Sequence, residues 1–444
     1  MNSVFRLSAI SLVAAGPLLS AAYAQENYYS RDKYEAVLDR QQPEFDPEAV
    51  RVGGLIVNAS AEAGITSSSN VFATSQNEQS DTIVRVGARA AARTNWNNHE
   101  VGVRVSAFRD EYSDISDESS NDLRASLHGR LDATKSLSLN GSVFAEDLSE
   151  ARTDFANAIG VDRPIEFERT GARVGANYQA DRIRWSTNAE FAEEDYEDGT
   201  TGNGAGVFRQ NFRDRSTTNL RSRLSYAVSP DLAVFGQASL RSSEYDTTQW
   251  VDSNTGQILD PLAAPLPPSA MRRIRDSDTY TASVGVNFEL QSLIRGDLSV
   301  GVLTEDKKDP AQSDVDSLSL NGRMQWFPSR LTTATFDAGR EVRDLGLVES
   351  SSAIQTRFGA TVDHELRRNI VVSLYGRITD NEYDDIDRNE QITEFGTRGT
   401  YKLNKRVHLE AFARRVDRDV SGAQVVGDPG FEANLFGIGI KIYP

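Results

Sequence analysis

The stretch Tyr280–Leu290 reads YTASVGVNFEL, and apolar and polar residues alternate along its length. The same alternation appears over Val84–Ala90, where VRVGARA sets valine and alanine against arginine and glycine. A period of two is that of a β-strand, whose successive side chains point to opposite faces. Segments of about twelve residues repeat this pattern, whereas strands in soluble sheets are usually about 5–6 residues long. Long strands with one apolar and one polar face are typical of outer-membrane β-barrels.

Eighteen such segments are predicted in the chain, separated by breaks rich in Asp, Ser and Asn. The predicted strands span 52–65, 81–93, 99–112, 121–133, 137–148, 167–179, 183–196, 214–228, 232–246, 277–290, 296–308, 316–327, 331–344, 353–364, 369–383, 389–402, 406–418 and 431–443. Short and long breaks alternate, as periplasmic turns and external loops do in outer-membrane barrels. The predicted fold is therefore all-β, a transmembrane antiparallel up-and-down β-barrel of about 18 strands with periplasmic termini.

The strand phase predicts which residues face lipid. Val286 shares a face with Val284 and Phe288, so we expect Val286→Arg to destabilise the barrel and Gly285→Ser to be nearly silent. We also expect the last strand to close the barrel by pairing with the first strand near Leu55, because an open strand edge is not tolerated in lipid.

The N-terminus has the features of a cleaved signal peptide over residues 1–24. Arg6 supplies a basic region, Leu7–Leu19 an apolar core too short for a membrane span, and Ala22-Tyr23-Ala24 a small-residue cleavage site. Residues 25–51 are polar and lack sustained periodicity, so they are interpreted as a periplasmic N-terminal arm. The barrel is predicted over residues 52–444, and export into the outer membrane is the expected localisation.

Composition excludes several classes of function. The net charge of −17 argues against nucleic acid as a partner, because phosphates would be repelled. The chain has no cysteine, which rules out disulfides, thiolate metal sites and lipid attachment through cysteine. The four histidines are dispersed and no Walker loop, HExxH or GxSxG motif is present. We therefore predict no enzymatic activity, cofactor or metal, although a barrel enzyme with residues converging at the external rim stays an alternative.

The polar faces of the predicted strands are rich in arginine, asparagine and small residues. The candidate channel-lining residues are Arg85, Arg89, Arg104, Arg124, Arg173, Arg221, Arg223, Arg323, Arg357, Arg377 and Arg398. Two interpretations remain open: these arginines contact anionic solutes in a wet channel, or they form cross-strand salt-bridge ladders that brace the barrel. The long break 247–276, which carries four prolines and three arginines, is either a solvated external loop, which is favoured, or an inward constriction.

Aromatic residues cluster near predicted strand ends, as in the girdles of membrane barrels. The predicted periplasmic girdle consists of Trp96, Tyr178, Trp185, Tyr226, Trp326, Phe327 and Tyr401. The predicted external girdle consists of Phe108, Tyr112, Tyr196, Tyr245 and Tyr383.

Three segments carry a family resemblance. The approach Asp39–Pro47 is acidic and contains two prolines, Val50–Gly54 reads VRVGG, and Ser69–Thr74 reads SNVFAT after the first strand. These resemble the start of members of the family named Putative β-barrel porin type 2. The resemblance implies an outer-membrane barrel of about eighteen strands, and some relatives are associated with exopolysaccharide secretion together with a periplasmic export partner. The C-terminal residues Phe436, Ile438, Ile440 and Ile442 alternate as a barrel-assembly signal does, although Tyr443-Pro444 follows them.

These observations favour an outer-membrane channel that passes polysaccharide or another large hydrophilic solute. The expected partners are outer-membrane lipid, the barrel-assembly machinery and a periplasmic polysaccharide-export protein. A general diffusion porin and a structural or adhesive surface barrel remain alternatives.

Overall fold

The computed structural model describes residues 35–153, 161–201, 206–252, 258–259, 265–344, 352–384, 386–422 and 430–444. Eighteen long antiparallel strands form a closed barrel. They are β1 Leu55–Ser68, β2 Asp81–Thr94, β3 Glu100–Tyr112, β4 Ser120–Asp132, β5 Leu137–Ser149, β6 Glu166–Ala180, β7 Ile183–Tyr196, β8 Arg215–Ser229, β9 Leu232–Tyr245, β10 Ser277–Leu290, β11 Ile294–Lys307, β12 Val315–Ser329, β13 Thr332–Asp344, β14 Ser352–Arg367, β15 Ile370–Tyr383, β16 Asn389–Lys402, β17 Val407–Ser421 and β18 Gly430–Ile442. The predicted fold class and strand count are confirmed. Among the described residues, no helix has the length and apolarity of a membrane span.

The barrel closes between its last and first strands. β18 pairs with β1 over Ala61–Ser68, with Ile440 opposite Ala63. The periplasmic half of β1 pairs instead with a short strand, Val50–Val52, through a turn in which Gly53 has a φ of 58°. The expectation that β18 would meet β1 near Leu55 is therefore wrong. Strands in a tilted barrel are staggered, and Val50–Val52 covers the edge that the stagger leaves open.

The alternation of apolar and polar residues sets the two faces of the wall. Val284, Val174 and Ile438 are 66%, 61% and 66% exposed, so the large apolar side chains cover the outside of the barrel. Arginines and small polar residues take the alternate positions and face inward. Phe436, Ile438, Ile440 and Ile442 lie on the outer face of β18, in the phase that the sequence predicted.

The predicted periplasmic girdle lies on the outer face, except for one residue. Trp96, Tyr178, Trp185, Tyr226, Trp326 and Tyr401 are all exposed near short turns. Phe327 is 2% exposed and faces inward, below the guanidinium of Arg295.

The predicted external girdle is wrong. Phe108, Tyr112, Tyr196, Tyr245 and Tyr383 occupy the inward-facing positions of their strands, and Phe108 and Tyr383 are 6% and 7% exposed. The physical reason is parity: each of these rings is an even number of residues from an inward-facing charged residue on its own strand, as Phe108 is from Arg104.

Five additional short segments flank the ends of the strands at the side of the long loops. Gly199–Thr201 pairs with Gly206–Phe208, and Gln249–Asp252 pairs with Ile258–Leu259 and Ala270–Arg273. The described contacts of the long break 247–276 are with neighbouring loops, where Arg275 is buried over the rings of Phe212 and Tyr245. Part of this break, including Pro261, lies outside the described residues.

Candidate functional site

A connected series of ion pairs runs along the inner wall over β1–β8. It begins at Glu62, whose carboxylate lies 2.8 Å from the ammonium of Lys441 and 2.9 Å from the guanidinium of Arg89. Arg169 on β6 contacts carboxylates on both adjacent strands at 2.9–3.4 Å. The other pairs are Arg85 with Asp110 and Asp122, Arg124 with Asp122 and Glu146, Arg173 with Glu190, and Arg215 with Glu194. Opposite charges facing one another across strands stabilise the sheet, so these arginines brace the wall.

Inward phenylalanines lie flat on the same wall over glycines. The pattern Arg-x-Gly-x-Arg occurs as RVGAR over 85–89 and RTGAR over 169–173. The ring of Phe108 covers Gly87 so closely that a Cβ there would lie 2.2 Å from the ring. Arg85 and Arg89 stack on that ring at 5.1 and 4.6 Å from its centroid. The second copy repeats the arrangement, with Phe144 over Gly171 and Arg169 and Arg173 at 5.0 and 4.5 Å.

A third ring of this kind links β8 to β11. Phe235 lies over Gly285, where a Cβ would come within 2.3 Å of both the ring and the carbonyl oxygen of Leu298. Arg223 stacks on the ring at 3.4 Å and donates two hydrogen bonds to Asp297, of 3.1 and 2.6 Å. This geometry contradicts the expectation that Gly285→Ser would be nearly silent, since any side chain there displaces the ring.

The arginines on the wall over β12–β16 are paired differently from those over β1–β8. Arg323 on β12 is exposed, and within the described residues no carboxylate lies within ion-pair distance of Arg323, Arg357 or Arg398. Arg357 donates to the side-chain oxygen of Gln355. Arg377 lies 3.8 Å from Glu394, yet half of its side chain is exposed. The remaining two candidates, Arg104 and Arg221, occupy inward positions on β3 and β8.

At two arginines of the wall, the carboxylate lies deeper than the arginine side chain that it contacts. The side chains of Arg124 and Glu146 are 39% and 11% exposed, and those of Arg377 and Glu394 are 50% and 17% exposed. At these two positions the arginine is the more exposed member of its pair, whereas Arg85 and Arg223 are about as buried as Asp110 and Asp297. Between the arginines the inner wall presents hydroxyl and amide groups, for example on β10 and β12; the inward residues of this kind that are not buried include Thr279, Thr281, Ser317 and Asn321.

Residues 36–48, which we call the strap, lie inside the opening at the short-turn end of the barrel, the end predicted to be periplasmic. Val37 is 2% exposed, and its backbone N–H donates to the hydroxyl of Thr333 on β13 at 3.0 Å. Arg40 donates to the buried carboxylate of Glu365 on β14 at 2.6 Å. The predicted periplasmic arm is therefore folded against the inner wall over this part of its length.

The strap continues across β16 and β17. Asp46 accepts a 2.6 Å hydrogen bond from Lys402, and the carbonyl oxygen of Phe45 lies 3.0 Å from the ring nitrogen Nε2 of His408. Glu48 forms an ion pair with Lys405. Because Thr333, Glu365, Lys402 and His408 all face inward, the strap crosses the opening from β13 to β17 and narrows it.

The first external loop, residues 69–80, narrows the opposite end. Asn70 is 2% exposed, and its side-chain nitrogen donates to the carbonyl oxygens of Thr74 and Glu432 at 2.7 and 3.0 Å. Ala73 packs against inward-facing residues of β17 and β18, and the ring of Phe72 lies 5.8 Å from the guanidinium of Arg152 across the mouth. The SNVFAT segment thus holds this loop in the lumen.

Buried ion pairs join the other external loops. Arg152 contacts Glu118, and Arg213 contacts Glu150, with all four side chains under 10% exposed. Burial lowers the pKa of Arg213, but the carboxylate of Glu150 more than offsets this effect, so the pKa lies above its ordinary value. These pairs fix the loops as a rigid rim around the external opening.

Comparison with known families agrees with the barrel fold. The model of the family described as "Putative beta-barrel porin 2" matches residues 42–443, from the strap to the end of β18. The chain belongs to this family. No curated protein matches the chain. The Putative beta-barrel porin 2 assignment therefore stands on the family model, which covers nearly all of the described barrel.

Solved structures show a likeness of shape to this family member. The copper transporter OprC is 10% identical, with a TM-score of 0.45 over 91% of this chain and 82% of that one. The ferric-catecholate import receptor Fiu of E. coli K12 is 10% identical, with a TM-score of 0.47 over 89% and 82%. OmpT of Vibrio cholerae is 11% identical, with a TM-score of 0.34 over 89% and 100%. At such identities the likeness concerns the barrel alone.

Proposed function

We propose that this porin-family barrel is an outer-membrane channel that passes large hydrophilic solutes, with polysaccharide as the substrate class. The observation that carries the proposal is the inner wall, where exposed guanidiniums alternate with hydroxyl and amide groups over β10–β16. Such a surface offers many weak hydrogen bonds to a hydroxylated polymer and lacks a packed apolar core. A closed barrel of this strand number is wide enough to hold an aqueous path.

The substrate that suits this wall best is acidic. Guanidiniums that project beyond their carboxylates create a positive local field, and a low-dielectric wall strengthens it. A polyanion would therefore be drawn in although the whole chain carries a net charge of −17. In this proposal the chain reaches the outer membrane after its signal peptide is cleaved, and the barrel-assembly machinery inserts it.

The strap favours regulated export over open diffusion. It crosses the periplasmic opening and is tied by charged pairs to the turns and ends of β14–β17. A periplasmic polysaccharide-export protein that engages this end would displace the strap as it delivers polymer. A general diffusion porin needs no such narrowing of its periplasmic opening.

Liposome release tests the proposal. Purified barrel carrying Val37→Asp, which releases the strap from the inner wall, is reconstituted into vesicles loaded with fluorescent polygalacturonate or with dextran of equal length. We expect acidic polymer to leave faster than neutral polymer, and both to leave faster than from protein-free vesicles. Retention of both polymers by vesicles that conduct small ions would contradict polysaccharide passage and favour the diffusion porin.

A further inference from the structure

Three guanidiniums surround a bare patch of wall on β12–β15. One row of paired residues crosses these four strands in the order Arg323, Asp337, Gly359 and Arg377. In the adjacent row toward the external end, the paired residues are Asn321, Gly339, Arg357 and Thr379. All of these positions face inward, and Arg323 and Arg377 are near the middle of their strands.

Gly339 leaves part of the floor of this patch open. A Cβ on Gly339 would meet no atom within 4 Å, so nothing fills the space above it. The carboxylate of Asp337 leans over Gly359, at 2.6 Å from the position of a Cβ there. Elsewhere on the wall, the inward Gly87, Gly171 and Gly285 are covered by phenylalanine rings, and Gly175 is covered by the amides of Asn140 and Asn188. The absence of a covering ring at Gly339 leaves a shallow recess bordered by Arg323 and Arg357.

Two nearby acids contact arginines outside the recess, so the recess keeps a net positive charge. Asp297 is held by Arg223 and by the side chain of Asn287. Glu394 lies between Arg377 and Arg414, at 3.8 and 3.7 Å. Asp337 lies within the recess and Glu341 one row beyond it, and the carboxylate of Asp337 can accept hydrogen bonds from hydroxyl groups.

We infer that this recess, formed by Arg323, Arg357, Arg377, Asp337 and Gly339, is a binding subsite for one acidic sugar unit of a polysaccharide. Arginine binds carboxylate in bidentate fashion, which fixes the orientation of the acid group. Asp337 and Asn321 accept from and donate to the sugar hydroxyls, which an inorganic anion does not carry. The inference rests on the proposed function and deepens it by naming the chemistry of the solute.

Direct binding tests the subsite without any need for transport. The refolded full-length barrel in detergent is titrated calorimetrically with hexagalacturonate, with maltohexaose as the neutral probe and sulfate as the inorganic anion. We expect hexagalacturonate to bind and maltohexaose to bind at least tenfold more weakly. Arg323→Gln and Arg377→Gln should each weaken hexagalacturonate binding threefold or more.

Two further variants separate the recess from general charge effects. Gly339→Val fills the recess without changing charge, and the open space at Gly339 lets the barrel accept it, so binding should be lost while the barrel still folds. Arg124→Gln removes a guanidinium of comparable exposure from β4, outside the recess, and should weaken binding much less than Arg323→Gln does, because it lowers only the general positive field. Equal losses for Arg124→Gln and Arg323→Gln, or full binding by Gly339→Val, would overturn the subsite.

The same titration distinguishes the subsite from the channel. If the barrel binds hexagalacturonate but passes no polymer in liposomes, the subsite is supported and polysaccharide passage is refuted. Passage of polygalacturonate with no saturable binding would keep the channel and refute the subsite. Sulfate binding equal to that of hexagalacturonate would mean an anion site with no sugar recognition, and would also refute it.

Discussion

Release of the strap from the inner wall should widen the channel, and a substitution at the buried Val37 should cause that release. Val37 is 2% exposed against the inner wall, whereas its neighbour Leu38 is 61% exposed. Val37→Asp would place an unpaired carboxylate in a buried position, which costs several kcal/mol. The ion pairs that hold the strap are partly exposed and worth about 0–1 kcal/mol each. The strap should therefore leave the wall, while the wall itself is unchanged.

The size of the effect follows from the barrel geometry. Strands about 4.8 Å apart and tilted by about 40° give an eighteen-strand barrel a backbone radius of roughly 18 Å. Subtracting a side-chain layer of about 6 Å leaves a free radius of roughly 12 Å, and a polypeptide segment about 10 Å wide then covers over a third of the opening. Because loop 69–80 stays in series at the other end, we expect conductance to rise about 1.5-fold to twofold.

Single-channel recording in planar bilayers measures this directly, with Leu38→Asp as the matched control. That variant makes the same chemical change at an exposed position and should conduct like the wild type. Trypsin cleavage at Arg40 reports strap release independently, and heat-modifiable migration on gels reports an intact barrel. An intact Val37→Asp barrel with a cleavable strap and unchanged conductance would refute the idea that the strap narrows the pore.

Three further predictions concern the wall. Gly285→Ala should destabilise the barrel by about 1–3 kcal/mol through overpacking against Phe235, whereas Gly399→Ala, where a Cβ meets nothing within 4 Å, should be neutral in urea unfolding; equal effects would disprove the ring-over-glycine packing. Val286→Arg, on the outer face, should cost about 2–4 kcal/mol if it lies near the bilayer midplane, measured by refolding into liposomes, and a silent variant would contradict the strand phase. Deletion of 430–444 should abolish insertion, since β1 and β17 would both present open edges to lipid; recovery of heat-modifiable protein would count against closure.

The period-two pattern was sufficient to predict the strands, their number and their phase. It works because lipid outside and water inside demand opposite side-chain polarity on every strand. The inward position of Phe108 and Tyr245 was also available from the sequence, since both share parity with arginines on their own strands. The parity of a residue on its strand predicts its face better than its position near a strand end does. Reliance on position gave the wrong external girdle.

The contacts inside the lumen were not available from the sequence. Which carboxylate meets Arg223 depends on the stagger of β8 against β11, and no local pattern encodes it. The position of the strap could not be predicted for the same reason, because the partners of Val37 and Arg40 lie some 300 residues away in the chain. The candidate arginines also differ in their pairing. Replacing Arg85 or Arg223 would remove the arginine that contacts a largely buried acid, so Arg323 and Arg377 are the better probes of the lumen.

The reversal potential under a salt gradient tests the central claim most directly. The wild-type barrel is recorded in planar bilayers with a tenfold difference in KCl concentration, beside a double variant carrying Arg323→Gln and Arg377→Gln. An open lumen lined by projecting guanidiniums predicts an anion-selective potential that moves toward cation selectivity in the variant. A wild-type barrel that is cation-selective, or a potential that the two substitutions leave unchanged, would contradict it.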